Sequence, residues 1–125
     1  MKRWREFVGL FAAAILVLSS GAHSFLGWKA LEPRIAAVGT PADLITGLRM
    51  GWQFGGVAML AFGIIAASIF IQRLRGANVS SFPVVVIGVV YVAFGAWALS
   101  ISGNPFFAIF IVPGVLLLLA SWPAR

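Results

Sequence analysis

Residues 49–71 read RMGWQFGGVAMLAFGIIAASIFI, and after Arg49 no charged residue occurs until Arg73. A helix rises 1.5 Å per residue, so about 20 mostly apolar residues cross the roughly 30 Å hydrocarbon core of a bilayer. The same test applied outward predicts three more spans, giving 7–28, 49–71, 82–101 and a shorter 105–122. Backbone polar groups have no water to bond in lipid, so each span is expected to be helical. The fold expected is all-α, a polytopic membrane protein with four transmembrane helices in one antiparallel bundle and a single domain over 1–125.

Composition supports this reading. Of 125 residues, 62% are hydrophobic and 10% charged, with a mean hydropathy of +1.05; soluble domains carry about 25% charged residues. The net charge of +6 comes from nine basic and three acidic residues. So few charges exclude a nucleic-acid interface and leave the bilayer as the expected partner. The absence of cysteine removes disulfides, thiolate metal sites, iron–sulfur clusters and cysteine nucleophiles.

Basic residues in short loops are retained on the cytoplasmic side. Lys2, Arg3, Arg5, Arg73, Arg75 and Arg125 fall on one side of the predicted spans, against Lys29, Arg34 and Arg49 on the other. Both termini are therefore expected in the cytoplasm. Trp4 and Trp122 would mark the inner interface and Trp28 the outer, with Trp52 and Trp97 within two turns of it. Lys2 to Arg5, the apolar run and Ser20-Gly21-Ala22 also resemble a secretory signal with its cleavage site. Apolar residues continue through Phe25, Leu26 and Trp28, however, and an uncleaved span is expected.

In the first outer loop, Pro33 is expected to start a short helix whose Leu31, Ile35 and Val38 face lies on the membrane, with Gly39 stopping it. Thr40, Pro41 and Asp43 then read as a helix start, with Thr40 as the cap. Ser102, Gly103, Asn104 and Pro105 predict a tight turn between spans three and four.

Between membrane helices, contact depends on small residues and on polar side chains that pair. Span two carries Gly47, Gly51 and Gly55 on one face and Arg49, Gln53, Gly56 and Gly63 on the opposite one, and is expected to be the central helix. Span one offers Ser20, His23, Ser24 and Gly27. His23 lies about 7 Å inside Trp28 and Gln53 about 6 Å inside Arg49, so the two share a depth and are expected to meet. Their hydrogen bond would contribute roughly 0.6 to 2 kcal/mol. His23 could instead serve a ligand, since intramembrane ionisable groups often mark functional sites. Tyr91, on a face with Gly88, Gly95 and Ala98, reads first as packing. Pro113 implies a kink in span four. Arg49 is expected to snorkel outward or to pair with Glu32 or Asp43.

No Asp or Glu lies within a predicted span, which opposes proton-coupled transport. The small multidrug exporters have a similar length and span number, but they depend on a glutamate in the first helix. Paired carboxylates, a Ser-His-Asp set, a phosphate loop and a metal-ligand cluster are also missing from the pattern, so neither an enzyme nor a cofactor is expected.

His23-Ser24-Phe25-Leu26-Gly27, followed by Trp52-Gln53, resembles a set of small bacterial four-span membrane proteins with His-Ser-x-Leu-Gly at the end of helix one and often Trp-His in helix two. The likeness covers about the first half of the chain, and Gln53 stands where the second histidine would be. It implies a multi-pass protein of the bacterial inner membrane and no particular activity. Two functional expectations follow. The first is a non-enzymatic membrane protein that self-associates or serves as an accessory subunit, chiefly through Gly47, Gly51 and Gly55. The alternative is a small-molecule or lipid site near the outer leaflet, lined by His23, Arg49, Trp52, Gln53 and Trp97.

Overall fold

The computed structural model describes residues 3–122, so Lys2 and Arg125 of the basic ends lie outside the described residues. The chain forms four helices, with no strand among the described residues. Helix α1 runs unbroken over Trp4–Ala37, α2 over Ala42–Leu74, α3 over Phe82–Ser102 and α4 over Ala108–Ser121, the last preceded by a 3-10 turn at Pro105–Phe107. The first three are long and apolar enough to cross a membrane, and α4 with its turn is a shorter apolar helix.

The connection between the first two spans differs from expectation. Pro33 does not start a helix but sits inside α1, which ends only where Gly39 takes φ +77°. Proline withholds one N–H from the helical ladder, and α1 tolerates the loss because the turn before it is clamped to α2. There Trp28 is buried and its indole donates to Glu32, which in turn pairs with Arg49. The membrane-surface helix therefore does not form as a separate element. Thr40 is not the cap either: α2 starts one residue later than expected, with Pro41 in the capping position and no side-chain cap bond.

The other turns follow their residues. Gly103 takes φ +62° and its N–H reaches the Leu99 carbonyl, while Asn104 Oδ1 accepts from Phe106 N to start the 3-10 turn. At the end of α2, Gly76 at φ +85° donates to Arg73 O and Ala77 N donates to Gln72 O. This crossed pair needs a left-handed residue after the helix, which glycine adopts without strain.

Glycines set the helix spacing. A side chain at Gly9 would overlap the Phe70 ring, one at Gly63 would lie 3.1 Å from the Ala13 carbonyl, and one at Gly27 would meet Trp52. Contacts climb α1 as they descend α2, so the two run in opposite directions. On the other side of the bundle, a Cβ at Gly88 would lie 3.0 Å from the Gly114 carbonyl and one at Gly95 3.1 Å from Ile111 N. Pro113 is buried within α4, which continues to Ser121 without a break.

The central helix is α1, not α2. It packs along α2 and also against α4, whereas α2 touches α3 only lightly. The reason is a stripe of small residues on α1, with Gly9, Ala12, Ala13 and Ser20 buried beside Leu16. That stripe admits two neighbours. On α2 the Gly56 and Gly63 face is covered, and Gly55, expected on the face of Gly47 and Gly51, lies against His23 instead; only at Gly47 and Gly51 would a side chain meet open space.

Packing is also uneven along the bundle. Leu16, Phe70, Val84 and Leu117 are fully buried, and with Ala12, Ala66, Ile87 and Tyr91 they form the core. Contacts between helix ends close this half: Arg5 donates to the Trp122 carbonyl, and Arg73 meets Glu6 at 3.3 Å and Ser81 Oγ at 3.1 Å. Because α1 begins at Trp4, Glu6 lies in its first turn, paired and largely covered. The Gly63→Leu variant, which drives a branched side chain against the backbone of α1, is expected to lose about 1–3 kcal/mol in an SDS unfolding titration. Gly47→Leu should unfold as the parent does.

Candidate binding site beside His23

Six residues of α1, Ala22–Gly27, form a π-helical turn. Such turns hold one residue more than an α turn and recur at functional sites. Here two successive carbonyls of the turn accept from side chains of α2. Trp52 Nε1 donates to His23 O at 2.7 Å, and Gln53 Nε2 donates to Ser24 O at 2.9 Å.

His23 answers Trp52 directly. Its Nε2 lies 3.0 Å from the Trp52 carbonyl, and the two rings stack with centroids 4.3 Å apart and planes 5° from parallel. A carbonyl can only accept, so Nε2 carries a proton in this bond, and in the tautomer that this selects Nδ1 is the nitrogen with the lone pair. His23 and Gln53 share a depth as expected, but their side chains do not pair. Each instead bonds to the opposite backbone, because the π turn presents carbonyls where a second side chain was expected.

The glycines of this level make room for side chains. A Cβ at Gly55 would approach His23 Nε2 to 3.3 Å, one at Gly27 would approach Trp52 Cζ2 to 2.9 Å, and one at Gly56 would overlap Ser24 Oγ. Ser20 is buried and bonds its own helix at Val17 O. Above them, toward the α1–α2 loop, Trp28 lies 6.2 Å from Trp52. Arg49 spans the carboxylate of Glu32 at 2.9 and 3.1 Å and sits 5.4 Å over the Trp28 ring. This arginine takes the outward pairing expected of it.

Beside the His23–Trp52 stack is a cavity of about 420 Å³. Helix α1 contributes Leu16, Ser19 and His23 to its wall, α2 contributes Trp52 and Met59, and α3 contributes Tyr91 and Phe94. The far side is aromatic, from Phe106, Phe107 and Phe110. Phe94 and Phe110 meet edge to face at 5.1 Å, and Phe110 also approaches Tyr91 at 6.3 Å. Pro113, which has no N–H to offer the Ile109 carbonyl, lines the cavity with Ile109.

Of the five residues expected to form a ligand site, His23 and Trp52 border this cavity. Gln53 and Arg49 belong to the α1–α2 contact instead. Trp97 is 57% exposed and packs against Phe94 on the outer surface of α3. Ser19 and the phenylalanines of the 3-10 turn were not anticipated. Ser19 had one available signal, its position one helical turn before His23; the phenylalanines read only as span. Among the described residues, no group of three or more His, Cys, Asp or Glu could hold a metal ion.

No protein-family model matches the chain, and no curated protein or solved structure matches it.

Trp52→Phe keeps a ring against His23 but removes the indole N–H. It is expected to lower the unfolding free energy by about 0.6 to 2 kcal/mol in mixed micelles. Tyr91 Oη is buried without a partner among the described residues. Tyr91→Phe removes that orphan hydroxyl and should unfold at the same or higher SDS fraction, opposite in sign to Trp52→Phe.

Proposed function

We propose that this chain is a non-enzymatic, multi-pass protein of the bacterial inner membrane that holds a small lipophilic molecule between its helices. The observation that carries the reading is the cavity of about 420 Å³ beside His23 and Trp52. Small-molecule sites are concave, mostly apolar and roughly 300–1,000 Å³ in volume, with a few polar groups that set orientation. All four helices or their connections contribute to this wall. Lipid gives packed helices little hydrophobic reason to collapse on one another, so a space between them can persist.

The orientation proposed puts both termini in the cytoplasm. Arg5 and Arg73 meet their partners at one end of the bundle, where Arg3 and Arg75 also belong, while the cavity occupies the other half. In that orientation the cavity belongs to the outer-leaflet half.

Native mass spectrometry after extraction in a mild detergent tests the reading. The expected spectrum shows the chain with a lipophilic adduct. The adduct should disappear in Ala22→Phe, which fills the cavity wall. Bare polypeptide from both proteins would exclude a retained ligand.

A second reading is favoured by the open space over Gly47 and Gly51. Leu44, Leu48, Met50 and Phe54 flank these glycines and are exposed. Such a face suits close approach of another membrane helix, from a second copy or from a larger complex. Gly51→Leu is then expected to reduce cross-linking in native membranes; unchanged cross-linking would remove this face from assembly.

A further inference from the structure

We propose that the cavity selects an uncharged lipophile bearing a hydroxyl group, a phenol or an alcohol, whose O–H donates to His23 Nδ1 while its oxygen accepts from Ser19. The inference rests on the cavity reading above and names the class of molecule that the site would take.

The donor requirement comes from the way His23 is held. Its Nε2 is committed to the Trp52 carbonyl, its own carbonyl accepts from the Trp52 indole, and the ring is stacked flat on that indole. Rotation of the ring would break the first contact and disturb the stack. The imidazole therefore presents Nδ1, a lone pair, as its remaining polar atom. Among the described residues Nδ1 has no hydrogen-bond partner. It also differs from Tyr91 Oη and Ser121 Oγ, the two unpartnered polar atoms that are sealed from contact.

Ser19 supplies the second group. It lies four residues before His23 on α1, about 6 Å along the helix axis and on the same face. Both residues border the cavity. Its hydroxyl, unlike those of Ser20, Ser100 and Ser102, does not bond back to a carbonyl of its own helix. One acceptor and one hydroxyl one turn apart match a ligand hydroxyl, which donates once and accepts once.

The rest of the wall restricts the ligand's body and its charge. No Lys, Arg, Asp or Glu lines the cavity, and Arg49 and Glu32 pair with each other within the α1–α2 contact. A carboxylate or phosphate would enter without a counter-charge and lose its hydration, which is costly in an apolar site. Phe94, Phe107 and Phe110 offer ring faces and edges to an aromatic or hydrocarbon body.

A pair of probes with the same body isolates the hydroxyl. In detergent micelles, the Trp52 indole N–H resonance is followed while para-nonylphenol or para-nonylanisole is added, the second being the methyl ether of the first. Both are expected to move the signal saturably, with the phenol binding about tenfold more tightly, because the ether leaves Nδ1 unpaired. Ser19→Ala should narrow the gap, and His23→Phe should abolish it. The comparison in the unmodified protein decides even where His23→Phe does not fold. Dodecanoate is expected to give no saturable shift. Equal affinities for phenol and ether, or tighter binding of the ether, would overturn hydroxyl selection and leave the cavity reading intact. Saturable dodecanoate binding as tight as that of the phenol would overturn the exclusion of charge. A Trp52 resonance that no probe moves would overturn the cavity reading, and this inference with it.

Discussion

The reciprocal clasp between His23 and Trp52 sets the relation of α1 to α2. In lipid, apolar side chains gain little by leaving one neighbour for another, so the register of two helices depends on polar contacts and close fit. Here the two residues exchange hydrogen bonds through one side-chain donor each, and their rings stack. Gln53 repeats the pattern one residue later on Ser24. The π turn makes this geometry available by carrying its carbonyls toward α2. Glycines at 27, 55 and 56 then give the side chains the space that a Cβ would occupy.

A bundle clasped in this way has two unlike halves. At the end that holds Arg5 and Trp122, Ala12, Leu16, Phe70, Val84 and Leu117 interdigitate, and Arg5, Glu6 and Arg73 tie the helix ends together. In the other half α1 and α2 remain fastened to each other and α3 to α4, but the large aromatic residues of α3, α4 and the 3-10 turn stand around a space. In the closed half Leu16, Phe70, Val84 and Leu117 fill the space between the helices, whereas in the other half phenylalanines meet one another edge to face around it.

Much of the architecture could be read from residue order. The charge-free runs gave four helices, Gly39 and Gly103 stop theirs where left-handed backbone is needed, and Arg49 pairs with Glu32. Gly88 and Gly95 were legible as a packing face because a period of three to four residues is a property of one helix alone. The site was legible only in part. His23 and Trp52 stood out by type, but Trp97 and Gln53 have the same chemistry and belong elsewhere. Phe106, Phe107 and Phe110 carried no signal, since an apolar residue in a membrane span has the same appearance whether it faces lipid or a cavity.

The sequence by itself determined that the chain is helical, that its helices are apolar enough for a membrane, and where charge and turns interrupt them. These are consequences of local hydropathy and backbone preference, each decided within a few neighbouring residues. Only the tertiary structure decided that α1 rather than α2 is central, that Pro33 lies within a continuous helix, and that His23 bonds a backbone carbonyl instead of Gln53. Those outcomes depend on which faces meet and at what distance. That is set jointly by small residues on separate helices and by a π turn that adds one residue to the count, neither of which a single helical period reveals.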